Sequence, residues 1–303
     1  MNHAPPLVSV IVAAYNSANF LPRCLDSLNQ QTFRDFETIV VNSSQEGRTA
    51  EVVSPYADIR FFQSPHRLYP HGARNVGVSL ARGALFAFTD ADCQADPNWL
   101  AELDATHSAG HEIIGGCIDS HANAVTSRLI YVLKYSPYQQ GQTAGPISLA
   151  ATGSLLVSRK VYDAVGGFDG AIFCGDGLFS WQAGAAGFPP WFEPKAIVVD
   201  QDEQYRQGFL SERFQRGREY GRVRAEFEHW SWPCLLLRIC AGPLALCSAL
   251  VAMGRHCLAG SRLKDFVVGI PFLAVTQAAW CAGEVLGYAT CLLELGRKKK
   301  SSD

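Results

Sequence analysis

The strongest constraint on this chain is an alternation of two periodicities in its first hundred residues. Apolar, β-branched runs at 7–14, 36–41, 59–62 and 84–89 have the length of buried strands. Between them lie helical patterns. Phe20, Leu21, Cys24, Leu25 and Leu28 share one face, residues 50–56 read as a short helix, and 72–81 form a longer one closed by Gly83. Strands that alternate with helices predict an α/β fold, a mostly parallel sheet with helices on both faces. Asp96-Pro97 reads as the start of the next helix, with Asp as cap and Pro at the first helical position.

Beyond residue 110 the order loosens. Residues 112–118, 150–157 and 196–199 read as strands, and 125–135, 159–165, 178–186 and 211–229 as helices. Residues 139–146 form a loop of Gly, Gln and Pro. The 211–229 helix holds five arginines against four glutamates, a pattern of a solvated or lipid-facing helix and not of a nucleic-acid site. The net charge of −2 likewise supplies no field for nucleic acid. Ten cysteines include no Cys-x-x-Cys pair, so neither a zinc motif nor a secreted disulfide frame is present; they read as reduced, small, buried hydrophobes.

The tail has a different composition. Residues 266–283 carry no charge, which is the length of a membrane span, and apolar sequence resumes after Glu284. A second candidate runs from Pro233 to Gly254 with Arg238 as its one charge, preceded by Trp230 and Trp232 as interfacial anchors. Arg297-Lys298-Lys299-Lys300 follows, a cytoplasmic signal under the positive-inside rule. No basic segment precedes the first apolar run, so the N-terminal part is expected in the cytoplasm. The expected division is a catalytic domain over 1–230, two membrane-associated helices over 231–296 and a basic tail over 297–303. The basic residues Arg255, Arg262 and Lys264 in the connector leave three arrangements open: a spanning hairpin, an interface-bound one, and a soluble helical hairpin.

The strand at 84–89 ends in Asp90-Ala91-Asp92. Two carboxylates one residue apart beyond a strand end are either solvated or met by a cation. Mg²⁺ or Mn²⁺ takes oxygen ligands and bridges carboxylates to phosphates. Open α/β sheets bind ligands in the crevice beyond the carboxyl ends of their strands, which is where this triplet falls.

Four motifs occur in order: Val8-Ser9-Val10-Ile11-Val12-Ala13-Ala14-Tyr15-Asn16; Gly72-Ala73-Arg74-Asn75-Val76-Gly77 with Ala81-Arg82-Gly83; Phe88-Thr89-Asp90-Ala91-Asp92-Cys93 with Pro97-Asn98-Trp99-Leu100; and Gly166-Gly167-Phe168-Asp169 with Gly175-Asp176. Together, over about residues 7–220, the chain resembles the family 2 glycosyltransferases of GT-A fold. The resemblance implies transfer of a sugar from a nucleotide-sugar donor, with inversion and a divalent cation. It implies a donor site built from Ala14, Tyr15, Asn16, Asn42, Arg74, Asp90, Ala91 and Asp92. Asp92 is then the more direct metal ligand, with Asp90 toward the ribose or a metal-bound water, and Arg74 is placed for the phosphates unless it is a surface arginine. Asp176 takes the role of general base, with Asp169 as rival.

The chain departs from the family pattern in three places. Val41-Asn42 stands where Val-Asp is usual, Cys174-Gly175-Asp176 lacks the preceding carboxylate, and Asp200-Gln201-Asp202 stands where a His is often found. Asp200 is either a substitute metal ligand or an exposed turn. The tail implies a lipid-linked or glycan acceptor and contact with membrane lipid, at the inner membrane of the cell. The departures keep a second reading in view, a catalytically weakened nucleotide-sugar-binding scaffold. A nucleotidyltransferase needs a Gly-rich basic loop after the first strand, and Ala13-Ala14-Tyr15-Asn16-Ser17 is not one.

Overall fold

The apolar runs become strands because both faces of the sheet they form are covered by helices, so every position tolerates an apolar side chain. β1 (Val8–Ala14) is the clearest case, with all but one of its residues buried. This computed structural model describes residues 4–45, 47–201 and 207–300, with backbone alone at 298–300. Asp202 and the last three residues of the expected basic tail lie outside the described residues.

By its contacts the chain divides into two units, residues 1–121 with 138–202, and residues 122–137 with 203–303. The first holds the sheet. β2 (Phe36–Asn42), β3 (Ile59–Gln63) and β4 (Leu85–Asp90) join β1 in the parallel order β3-β2-β1-β4. Beyond β4 the sheet is mixed. β5 (Cys93–Ala95), β6 (Ile113–Ser120), β7 (Gly145–Pro146), β8 (Ser154–Ser158) and β9 (Trp191–Asp200) complete the order β4-β8-β6-β9-β5, and β7 pairs with β9. β8 is antiparallel to β4 and β6, while β9 is parallel to β6.

The helices α1 (Leu21–Asn29), α2 (Arg48–Val53), α3 (Pro70–Leu80) and α4 (Trp99–Ser108) connect the strands. α3 packs close on β1 because Gly77 faces Ile11, where any side chain would overlap the Ile11 methyl. α4 begins two residues later than Asp96-Pro97 suggested, with Asn98 at its cap and Trp99 as its first residue. Asp96 does cap, but its Oδ1 accepts the Asn98 N–H at 2.9 Å in a turn ahead of the helix. The short strand β5 has no readable pattern in three residues and was not expected. α5 (Val125–Tyr135) lies in the second unit, and α6 (Arg159–Val165) ends on Gly166 in the left-handed conformation, φ 91°. α7 (Gly175–Ala185) starts a turn ahead of the expected 178, which brings Asp176 into its first turn.

The second unit adds α8 (Phe209–Phe227), α9 (Trp232–Cys240), α10 (Gly242–Ala259) and α11 (Leu263–Lys300). The apolar segment expected over 233–254 is broken at Gly242-Pro243, because proline cannot continue the helix before it. α8, grouped on sequence with the first domain, belongs by its contacts to the second unit. Gly217 and Gly221 on α8 meet the α11 backbone at Trp280 and Glu284, and Gly283 and Gly287 on α11 meet that of α8 at Phe214 and Arg218. Each pair of glycines is spaced by four, and the register advances in the same sense on both helices, so they run parallel in backbone contact. Of the ten cysteines, Cys240 and Cys247 are exposed, contrary to the expectation that all are buried; both lie on apolar α9 and α10.

Candidate functional site

The site gathers at the carboxyl ends of β1, β2 and β4. Register alone brings its parts together. Ala13 pairs with Asp90, and Ala14 with Asn42. Past β1 the chain turns at Asn16, which holds a left-handed φ of 53° that Asn tolerates better than most residues. The Tyr15 ring is exposed beside this turn and the Arg67 guanidinium lies 4.5 Å from its centre. Ala14 and Ala91 are buried and supply backbone and space, not side-chain contacts.

Asp90, Asp92 and Cys93 place one ligand atom each within 4.8 Å of one another. Asp200 stands next to this group at the end of β9 but is not one of its members. Its residue pairs with Cys93, and the Gln201 N–H donates to the Asp92 carbonyl at 3.0 Å. Burial first, then the nearby charges of Asp92, Asp200 and Asp90, hold the Cys93 thiol well above its ordinary pKa. A thiol is also a poor partner for a hard cation, which leaves Asp90 and Asp92 as the oxygen donors of this group. That set fits a hard divalent cation. Gly153, at the start of the antiparallel β8, keeps open the space beside Asp90, whose Oδ2 lies 3.6 Å from where a side chain would begin.

Arg74 is not at the surface. It is 2 % exposed and lies beneath the carboxylates, paired with Asp90 through Nη2. Its Nη1 donates to His71 Nδ1 at 3.3 Å, and its buried Nε–H has no protein partner. The expectation that Arg74 serves the phosphates stands as a proposal, to which the structure adds a clamp on Asp90. The reason is its place on the inner face of α3, above β1. His71 Nε2 in turn donates to the Phe173 carbonyl at 3.3 Å, next to the loop that leads into Asp176. Burial, then the Arg74 charge, push the His71 pKa down to about 3, so the ring is neutral and its tautomer is fixed by these two partners.

Asp176 stands within electrostatic reach of both Arg74 and Asp90. Its Oδ1 accepts its neighbour's N–H, that of Gly177, at 2.8 Å. Burial raises its pKa, while the Gly177 N–H and Arg74 counter part of the rise. Asp169, the rival base, caps its own turn, accepting the Ala171 N–H at 2.9 Å. Phe168 of the same turn is core, ringed by Phe88, Tyr162 and Phe179. Trp181 is core as well.

Two residues of this arrangement were missed on sequence. Asn75 follows Arg74 and holds the Gly-Gly-Phe-Asp turn at both edges. It donates to the Phe168 carbonyl at 2.8 Å and accepts the Phe168 N–H at 3.1 Å and the Tyr162 hydroxyl at 2.7 Å. The second is His71. Asn75 was visible within the Ala-Arg-Asn motif, but no local signal marks His71. Asn42, expected to read the base, is fully buried. Its amide donates to Gln63 Oε1 at 2.8 Å and to the Ser44 carbonyl, and its Oδ1 accepts the Ser44 hydroxyl at 2.7 Å. It shapes the turn after β2 and presents no free edge, because amide and neighbouring hydroxyls satisfy one another.

A mixed sheet of this order with carboxylates at its strand ends defines the GT-A class of glycosyltransferase fold. The mannosyltransferase PcManGT from Pyrobaculum calidifontis, solved with GDP-Man and Mn²⁺, shares it with a TM-score of 0.64 at 17 % identity, over 94 % of this chain and 87 % of that one. Within that class the chain belongs to glycosyl transferase family 2, whose profile matches residues 9–166. Glycosyltransferase AglE of Haloferax volcanii is 25 % identical over 293 residues, 93 % of this chain and 94 % of that protein. Validoxylamine A glucosyltransferase of Streptomyces hygroscopicus subsp. jinggangensis is 35 % identical over 120 residues, 37 % of this chain and 28 % of that one.

Proposed function

We propose that this family 2 glycosyltransferase moves a hexosyl group from a nucleoside-diphosphate sugar to a hydroxyl of a lipid-linked or membrane-proximal glycan acceptor, with inversion at the anomeric carbon. The observation that carries the reading is the seating of Asp176 at the start of α7, where the adjoining Gly175 packs on the ring of His71, the partner of the Arg74–Asp90 pair. The acceptor oxygen attacks the anomeric carbon, the bond from that carbon to the diphosphate oxygen breaks, and the acceptor proton passes to the Asp176 carboxylate. A base with a raised pKa suits this task better than an ordinary surface carboxylate. Asp90, Asp92 and Asp200 would hold a Mg²⁺ or Mn²⁺ ion, which supplies charge neutralisation for the departing diphosphate. Tyr15 and Asn16 border the donor space, and Arg74 and His71 position Asp90 and the Asp176 loop.

The solved neighbour's GDP-Man makes GDP-mannose the first donor to test. Calorimetry with UDP-, GDP- and dTDP-sugars, with Mn²⁺ and with chelator, checks the donor site. Metal-dependent binding of one donor, lost in Asp92→Ala, is the expected outcome. Donor binding that persists unchanged in Asp92→Ala would overturn the metal assignment. A scaffold that binds donor without transferring it predicts no donor consumption in any variant. Membership of a transferase family and the retained Asp176 favour catalysis. The apolar helices of the second unit support a place at the inner membrane with the sheet domain in the cytoplasm, where nucleotide sugars are available.

A further inference from the structure

The second unit carries a surface whose partner can be identified. α10 and α11 each contain an 18-residue stretch apolar enough to cross a bilayer, with mean hydropathy of 1.3 and 1.6. Only 17 % and 33 % of those stretches is covered by protein. Leu244, Val251 and Leu258 of α10 recur every seven residues and stand 72 %, 55 % and 66 % exposed. Val267, Val268 and Val275 of α11 are exposed as well. The core helix of a water-soluble unit would bury such rows. Trp232 lies exposed near one end of this apolar surface, Arg238 stacks on Trp230 at 4.3 Å, and Arg255 and Lys264 are exposed near the α10–α11 connector. Aromatic and basic residues around an apolar surface fit the phosphate-bearing headgroup level of a membrane.

The four-glycine contact decides how that surface meets lipid. It fixes α8 parallel to α11 in close register. Phe209 stacks near Phe272, Arg213 donates to Gln277 at 3.3 Å and lies 4.3 Å from the Trp280 ring centre, and Ala225 reaches Tyr288. The first half of α8 therefore runs beside residues 272–283, most of the charge-free stretch of α11. The outer side of α8 is ionic: Arg216 pairs with Glu212 at 2.7 Å in this first half, and Arg222 with Glu226 at 3.2 Å beyond it, all of them exposed. If α11 crossed the bilayer, this charged helix would cross with it, its ion pairs facing hydrocarbon.

We infer that the second unit does not cross the membrane but lies in the plane of one leaflet, with the α10–α11 apolar surface in the acyl region and α8 at the water. The connector between α10 and α11 then stays on the same side as the sheet domain. This inference rests on lipid contact by the tail and not on the transfer chemistry.

The test uses full-length protein in cell membranes, with Cys234, Cys240, Cys247 and Cys291 replaced by alanine. Single cysteines are introduced as Lys195→Cys in the sheet domain, Lys264→Cys at the start of α11 and Val251→Cys on α10, all at exposed positions. A membrane-impermeant maleimide is applied to right-side-out spheroplasts and to inside-out vesicles. The expected result is that the first two label from the same side, while Val251→Cys labels only after detergent removes the lipid. Labelling of Lys264→Cys from the side opposite Lys195→Cys overturns the inference in favour of a spanning hairpin. Labelling of Val251→Cys in intact membranes, or its protection even in detergent, overturns it in favour of a water-exposed face or a protein-covered one. None of these readouts depends on sugar transfer, so an inactive enzyme leaves the test intact.

Discussion

Asp176 joins opposing demands in one carboxyl group. Its raised pKa means that the folded protein holds this proton more tightly than the unfolded chain does. Stability linked to the group is therefore greatest below the unfolded value and falls as pH rises toward the folded pKa. Asp176→Asn removes that loss. The variant is expected to lose transfer activity by about 10²–10⁴-fold, the usual contribution of a general base, while its melting temperature at neutral pH stays level or rises. A melting curve beside a transfer assay checks both. In the parent enzyme the rate should climb with pH through an inflection above the ordinary carboxylate range. His71 should add no inflection between pH 5 and 8, since burial and Arg74 keep it neutral there. His71→Leu should lower kcat more than donor affinity, because it removes the acceptor of Arg74 and the donor to the Phe173 carbonyl while leaving the carboxylates in place.

Among the elements, one carboxylate ties β1, β2, β3 and the turn after α3. Glu37 accepts the Ser9 hydroxyl at 2.8 Å, the Arg82 N–H at 2.7 Å, and the Arg82 and Arg60 guanidinium groups. Burial alone would raise its pKa, but these four donors hold it below the ordinary range. Glu37→Ala should cost about 1–3 kcal/mol by leaving buried donors unmet. Because the folded pKa is depressed, the Glu37 contribution is present above the unfolded value and is lost as pH falls through the folded one, so denaturation by urea should show a smaller difference in acid. α8 and α11 offer a second test. Gly221→Leu places a side chain against the Glu284 backbone, 2.7 Å from its carbonyl oxygen at the first carbon, and should destabilise the second unit by about 1–3 kcal/mol or part the helices. The strands of the parallel half were legible because burial on both faces leaves long apolar runs. β5 was not, because three residues carry no period. The early start of α7 was hidden by Gly175-Asp176-Gly177, poor helix formers that burial and the fold override. The grouping of Asp90 with Asp92 was legible through the motif that holds both. The withdrawal of Asn42 and Arg74 from the open surface was not, since it depends on partners such as Gln63 and His71 that no local pattern announces.

For the whole molecule, chemistry and membrane contact are assigned to separate units, and chelation separates them experimentally. Removing divalent ions should abolish donor binding while leaving the protein in the membrane fraction after centrifugation, because no proposed metal ligand lies in α8–α11. Transfer within one leaflet also predicts that acceptors offered in detergent-free vesicles react only when added to the face that carries the enzyme. The neighbouring pair Arg74 and Asn75 has a further effect on turnover. One residue grips Asp90 and the next grips the turn ahead of Asp176, so a single stretch of helix holds both halves of the proposed reaction centre. Occupancy of the donor half should then be felt by the acceptor half. Steady-state kinetics should show a compulsory sequence, nucleotide sugar first and acceptor second, and Asn75→Ala should relax that sequence toward random addition.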